Sequence, residues 1–264
     1  MNIRALFADF TGRQEALNGI LRYSLYAPVF YRSSVYDHSE RVSWLIRAIE
    51  PVLKNVFGAT FNTKRCELLA LVHDDIEMII GDIQMGNKAM MNPKQLAEVA
   101  RQEQEAIIVL EKQFPRMLGN YSYAELLHEA IDAQSTEALL MKYADKFDGF
   151  CEALHELYAG NTAMTVNVVN EYGTIPTPYE YYIPFFQEYR QQHPESAFLF
   201  DSEHPFFQTP ADLDVHAIVQ RGSLHTQQTI QEPVGHPQYD WWKGVIQQYA
   251  DPGRKQQYSA QKEF

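Results

Sequence analysis

Residues 68–82 read LLALVHDDIEMIIGD: a stretch that is apolar on nearly every side, followed by one histidine and four carboxylates. A helix that is hydrophobic all round belongs at the centre of a helical protein, and the spacing of Leu68, Leu69, Leu71, Val72, Ile76, Ile79 and Ile80 predicts one over residues 63–80. The pair His73-Asp74 is expensive inside such a helix, because a buried carboxylate loses its hydration unless it is paired or binds a cation. A divalent metal would offset that cost. Both side chains can reach one ion over the helix edge, and Glu77, four residues past His73, falls on the same face. There it could take a proton from water near the ion without being a ligand. The run also fits a plainer reading, a solvated acidic helix end with one hydrogen-bonded histidine.

Helical periodicity extends outward in both directions. Leu17, Ile20, Leu21 and Leu25 predict a helix over 12–25, and Val42, Leu45, Ile46, Ile49 and Leu53 another over 38–53. Asn92-Pro93 reads as a cap and first-turn proline opening a Glu-rich helix through residue 113. Two more fit 122–132 and 136–158, the second ending before Gly160-Asn161. Only a weak alternation over 162–169 resembles a strand. Past Pro184 the texture changes: residues 193–240 are rich in Pro, Gln and His, with one further helical stretch at 239–249. The expected architecture is an all-α domain over residues 1–195, with 196–264 a mostly irregular extension packed on it and ending in a polar tail.

Composition narrows the class. With 34 acidic against 22 basic residues the net charge is −12, which argues against nucleic acid or an anionic membrane as a partner. Sixteen tyrosines and 15 phenylalanines supply a core and exclude a disordered chain. No apolar run is long enough to span a bilayer, and Asp9 falls where a signal peptide needs its apolar stretch. Cys66 and Cys151, both in helical stretches, read as core residues rather than a disulfide framework. A cytoplasmic protein is expected.

Two further positions bear on the His-Asp pair. His38, in SSVYDHSERV, lies four residues before Val42 on the apolar stripe. Asp145, in MKYADKFDGF, sits mid-helix, where aspartate is a poor choice, and off the stripe of Tyr143, Phe147, Cys151 and Leu154; Asp148 competes with it one turn later. In the order His38, His73-Asp74, Asp145, with gaps of 35 and 71 residues, the set resembles the HD superfamily of metal-dependent phosphohydrolases. Arg22-Tyr23, VYDHS, HDDIEMIIGD, Lys88 and KYADKFDGFCEALHELYAGN together are similar to its bacterial 5′-deoxynucleotidase branch, YfbR-like, over residues 5–190.

The resemblance implies an HD-domain helical bundle in which His38, His73, Asp74 and Asp145 hold one divalent ion. Mixed imidazole and carboxylate ligands suit Mn, Co, Zn or Fe. It further implies that Glu77 positions the attacking water and takes its proton, that Asp82 assists protonation or binds the sugar hydroxyl, and that Arg22 contacts the phosphate. Lys88 matches a family lysine. Tyr23 stands where the family usually carries tryptophan against the sugar, so the preference for deoxyribose stays open. The implied activity is hydrolysis of (deoxy)nucleoside 5′-monophosphates to nucleoside and phosphate, by a homodimer. Two other readings keep the residues: a deoxynucleoside triphosphate triphosphohydrolase, which would want more cations than Arg22, Arg65 and Lys88, and a non-catalytic module that binds a nucleotide or partner. Only His128 lies between the pair and Asp145, too few for a di-iron centre, and His193, His204, His216, His225 and His236 have no tight metal spacing.

Overall fold

The structure, a computed structural model, describes residues 2–26, 29–31, 33–158, 161–200, 239 and 241–245. Helices α1 (Arg13–Asn18), α2 (Val35–Ala48), α3 (Glu50–Phe57), α4 (Thr63–Val72), the single turn α5 (Glu77–Ile80), α6 (Met85–Met90), α7 (Pro93–Gln113), α8 (Tyr123–Asp132), α9 (Thr136–Tyr158) and α10 (Pro178–Gln192) follow in chain order. The only sheet among the described residues is two small antiparallel hairpins, β1 (Met117–Leu118) with β2 (Tyr121–Ser122) and β3 (Val168–Asn170) with β4 (Gly173–Ile175). The fold is all-α.

Helices α2, α4 and α9 pack on one another at the centre. The Asn62 side chain caps α4 by accepting from Arg65 N–H, and everything from Cys66 to Val72 is buried. Ser34 and Asp37 form a capping box that starts α2 and aims Val42, Leu45 and Ile46 into the core. Asn92 and Gln95 do the same for α7, with Pro93 in its first turn, as the sequence predicts. Helix α9 buries carboxylates as well as apolar groups: Asp145, Asp148 and Glu152 lie inside beside Phe147, Cys151 and Leu154.

Several boundaries differ from the periodic reading. The helix expected over 12–25 ends at Asn18; Leu21 then pairs with Ser34, and Arg22 N–H donates to Ser33 O at 3.0 Å. Arg22 and Tyr23 therefore ride on a turn tied to the start of α2, with Tyr23 in the left-handed region at φ 54°. The helix expected over 38–53 divides at Ile49, because Pro51 lacks an N–H and is tolerated only in a first turn, that of α3.

The helix expected over 63–80 stops at Val72. Beyond it the N–H groups of Asp75, Glu77, Met78 and Ile79 bond to carbonyls three residues back, a tighter winding than the α-helix. The cause is Arg13. Its Nη2 donates to the Leu71 carbonyl, the acceptor that Asp75 N–H would use in a continuing helix, while Nε and Nη2 hold the Asp75 carboxylate at 2.7 and 2.6 Å. The Tyr123 hydroxyl donates to the same carboxylate at 2.7 Å. Asp75 is thus a structural group facing away from the cavity described below.

Helix α10 is absent from the sequence reading, whose last helix within residues 1–195 is the one over 136–158. Thr177 and Glu180 form its capping box with Pro178 in the first turn, and burial of Tyr181, Tyr182, Phe186 and Tyr189 outweighs the hydrogen bond that Pro184 cannot make. The alternation over 162–169 resolves into a 3₁₀ turn, Thr162–Thr165, and the first residues of β3. Of the expected extension, residues 196–200 follow α10 as 3₁₀ helix and 241–245 are helical. The rest, with His204, His216, His225, His236 and the polar tail, lies outside the described residues. Among those described, no helix is long and apolar enough to cross a membrane, and Cys66 and Cys151 are buried free thiols.

Breaking one partner out of a buried ion pair costs about 3–5 kcal/mol. Asp75→Ala, which strands Arg13 and the Tyr123 hydroxyl, is expected to lower unfolding free energy by that amount in urea titration. A loss under 1 kcal/mol, on the same scale, would contradict this account of the α4 break.

Candidate metal and substrate site

The tight winding after Val72 puts Asp74 and Glu77 three residues apart on one side, facing a cavity of about 690 Å³. The sequence reading placed Glu77 on the His73 face of a continuous helix; the helix is broken there, and His73, Asp74 and Glu77 border one cavity. His73, at the end of α4, donates from Nδ1 to Ala70 O at 2.8 Å, since a carbonyl can only accept. Its Nε2 is buried, lies 3.1 Å from Asp74 Oδ2 and 3.8 Å from Asp145 Oδ1, and makes no hydrogen bond.

His38 enters from α2 and is fully buried. Its Nδ1 lies 2.8 Å from Asp148 Oδ2, and Asp148 also takes Arg41 Nε at 2.9 Å and Nη2 at 2.8 Å. An aspartate so paired is ionised and acceptor-only, so Nδ1 donates to it, and Nε2 is the nitrogen that a bound cation would take in place of a proton. That Nε2 lies 3.1 Å from Asp145 Oδ1 and 3.7 Å from Asp74 Oδ2. Two imidazole Nε2 atoms and two carboxylates thus converge from α2, the α4 end and α9. Each imidazole is oriented through its other nitrogen, as metal-ligating histidines are. The unpartnered His73 Nε2 is what a cation in this cluster would satisfy, and the donor set fits a divalent transition ion.

Without a cation the carboxylates draw a proton instead: burial lowers His73, but the charges of Asp74 and Asp145 outweigh it and hold the imidazole well above its ordinary range. Burial alone would raise the Asp74 carboxyl, but His73 and His38 hold it down to about 2. Burial, then the charges of Asp74 and Asp82, push the Glu77 carboxyl well above its ordinary range, and Glu77 Oε2 is buried without a hydrogen bond. Asp82 is raised by burial against the lowering charge of Arg22.

Around this cluster stand the other predicted residues. The Arg22 guanidinium lines the cavity, held by Glu152 Oε2 at 2.9 Å, with Nη1 3.9 Å from Asp74 Oδ2. The buried Tyr23 ring lines the same wall, its hydroxyl donating to Gly149 O and lying 3.3 Å from the Tyr182 hydroxyl. Lys88 is at the rim, ion-paired to Glu103 at 2.8 Å. Arg65 pairs with Glu129 and does not line the cavity, and His128 is exposed on α8.

The sequence reading missed Arg41, Lys142, Lys146, Glu152 and Tyr182, and took Asp148 only as a rival of Asp145. Lys146 pairs with Asp145 Oδ2 at 2.6 Å, and Lys142 and Tyr182 line the cavity. The available signal was the spacing 145, 148, 152 on α9, a polar stripe at helical period inside an otherwise apolar helix. His38, Asp148 and Glu152 also lie close enough to suggest a second metal group, but Arg41 and Arg22 already neutralise those carboxylates.

Solved structures share this architecture. An HD-domain phosphohydrolase from Listeria innocua superposes with a TM-score of 0.56 over 81% of this chain and 97% of its own, at 19% identity. The PH0347 protein from Pyrococcus horikoshii gives 0.50 over 70% and 90%, at 21% identity. The fold is therefore the helical HD-domain fold. The 5′-deoxynucleotidase YfbR-like family matches residues 9–182, and the chain belongs to that family. A 5′-deoxynucleotidase of Photorhabdus laumondii is 30% identical over 130 residues, and one of Yersinia pestis 32% over 128. Each match spans 48% of this chain and 64% of the relative.

Gly149 is where α9 admits the site. A Cβ there would stand 2.2 Å from the Tyr182 hydroxyl and 3.0 Å from Arg22 Nη2. Alanine in place of a mid-helix glycine normally stabilises by roughly 0.5–1 kcal/mol. Here the sign should reverse, with Gly149→Ala losing about 1–3 kcal/mol to overpacking in chemical denaturation. A stabilised variant would show that the close packing of Arg22 and Tyr182 on α9 is wrong.

Proposed function

We propose that the chain is a metal-dependent phosphomonoesterase acting on nucleoside 5′-monophosphates, deoxy forms preferred, giving nucleoside and phosphate. The observation that carries this reading is the convergence of four candidate ligands, His38, His73, Asp74 and Asp145, on a cavity that also presents the unpaired Glu77 carboxylate and the Arg22 guanidinium. Membership of the YfbR-like family and relatives named 5′-deoxynucleotidase support it. A divalent ion held by those four side chains would supply Lewis-acid charge against the phosphate and make water more acidic.

The chain's own residues do the rest. Arg22, fixed by Glu152, offers a planar fork to the phosphate oxygens. It supplies local positive charge on a protein whose net charge of −12 would otherwise repel a nucleotide. Glu77 orients the attacking water and accepts its proton as the new P–O bond forms. As the bond between phosphorus and the 5′ oxygen breaks, that oxygen takes a proton from Asp82, which lines the same cavity. Tyr23 and Tyr182 form an aromatic wall for the sugar, and the Tyr23 hydroxyl, donating to Gly149 O, has no proton left to offer a 2′-hydroxyl.

One observation favours a second substrate class. Lys142 and Lys146 add cations to the cavity beyond Arg22 and Lys88, the feature a nucleoside triphosphate would need. Lys146 is committed to Asp145 and Lys88 to Glu103, so the monophosphate remains the better fit.

The test is phosphate release from a panel of deoxy- and ribonucleoside monophosphates, with dATP alongside, using protein stripped of metal and resupplied with Mn, Co, Zn or Mg singly. Metal-dependent release from the deoxy monophosphates is expected, abolished by Asp74→Ala. Triphosphate released from dATP would move the reading to the second class. Glu77→Ala should retain bound metal while kcat falls about 10²- to 10⁴-fold. Full activity in that variant would overturn the role given to Glu77.

A further inference from the structure

The family match ends at residue 182, yet one side chain beyond it reaches the ligand network. Trp242, in the helical segment 241–245, is 5% exposed and donates from its indole Nε1 to Asp148 Oδ1 at 2.9 Å. Asp148 is the fully buried carboxylate whose other oxygen orients His38 at 2.8 Å. Its remaining partners are Arg41 Nε and Nη2. Around the indole, Tyr239 stacks at 5.9 Å and 19°, and the His155 ring centroid lies 6.0 Å away. The Tyr239 hydroxyl and His155 Nδ1 form a hydrogen bond that fixes this cluster on α9.

We propose that the helical segment 241–245 and the metal centre stabilise each other through a relay of Trp242, Asp148 and His38, with Trp242 acting as a positioning residue. The proposal rests on the reading of His38 as a metal ligand. An indole N–H can only donate, and a buried one is costly unless it finds an acceptor. Here the acceptor is ionised, so the bond is of the stronger, charge-assisted kind. With it, Oδ1 has donors on two sides, Arg41 and Trp242, and the plane of the carboxylate fixes the plane of the His38 ring. Without it, Oδ1 keeps Arg41 Nε alone at 2.9 Å, and the carboxylate, held from the Arg41 side only, shifts toward that guanidinium and carries His38 Nε2 off the point where the other donors converge.

Coupling of this kind is reciprocal: whatever factor the docked segment adds to metal affinity, bound metal must add to docking of the segment. Substituting the direct partner of a metal-ligating histidine costs 10–100-fold in metal affinity, and Trp242 stands one hydrogen bond further out, so a roughly three- to tenfold effect is expected.

The test uses the full chain and Zn(II). Affinity is measured by chelator competition for the wild type, Asp74→Ala, Trp242→Phe and Trp241→Phe. The last alters the neighbouring ring, which packs near Phe147, as a packing control. In parallel, hydrogen exchange of amides 241–245 and of the Trp242 indole is followed in the wild type with and without Zn(II). Expected are three- to tenfold weaker binding in Trp242→Phe with an apo protein that still folds but melts lower, near-wild-type binding in Trp241→Phe, and exchange slowed by the same factor when Zn(II) is bound. Wild-type binding that survives Asp74→Ala, or no binding at all, would remove the metal-site reading and the relay with it. Zn(II) bound at the site with equal affinity in Trp242→Phe, or exchange unaffected by Zn(II), would overturn the relay alone. Should Trp242→Phe fail to fold, the wild-type exchange measurement decides.

Discussion

One imidazole, that of His38, is held between two carboxylates a single turn apart on α9. Asp148 takes Nδ1 at 2.8 Å and Asp145 faces Nε2 at 3.1 Å. The arrangement is tolerable in the core only because each charge is answered: Asp148 by Arg41, Asp145 by Lys146, Glu152 by Arg41 and Arg22. Helix α9 can therefore run a polar stripe through the centre of the bundle. The register of α2 against α9 follows from it, since a shift of one residue would strand several buried ions at once.

A second charged cluster, on the opposite side of the His-Asp turn, does the complementary job. Arg13 claims the Leu71 carbonyl and the Asp75 carboxylate, which ends α4 at the point where His73 can face α2 and α9. Two adjacent aspartates thus have opposite duties. Asp75 is buried and pins the backbone, while Asp74 faces the cavity and draws the histidines. The shortened winding that results is also what brings Glu77 beside Asp74, so the proposed proton acceptor depends on an arginine that does not line the cavity.

Glycine and aromatic residues complete the wall. Gly149 lets the Arg22 guanidinium and the Tyr182 ring lie directly on α9, and the Tyr23 backbone, in the left-handed region, turns its ring to the same place. Helix α10 supplies Tyr182 despite an internal proline, because its buried aromatic face interlocks with Tyr143 and Phe150 at ring separations of 5.4–6.1 Å.

The sequence alone determined the class of fold and the order of the chemistry-bearing residues. Apolar residues at helical spacing, an Asn-Pro start at 92–93 and the set His38, His73-Asp74, Asp145 are local patterns, and local patterns survive in one dimension. Tertiary structure alone decided where the helices break and which polar groups answer one another. Arg13 acts on Asp75 across 62 residues, Arg41 on Asp148 across 107 and Trp242 on Asp148 across 94. Such pairings leave no periodic trace, because what selects them is the cost of an unpaired charge or N–H once α2, α4 and α9 have closed around it.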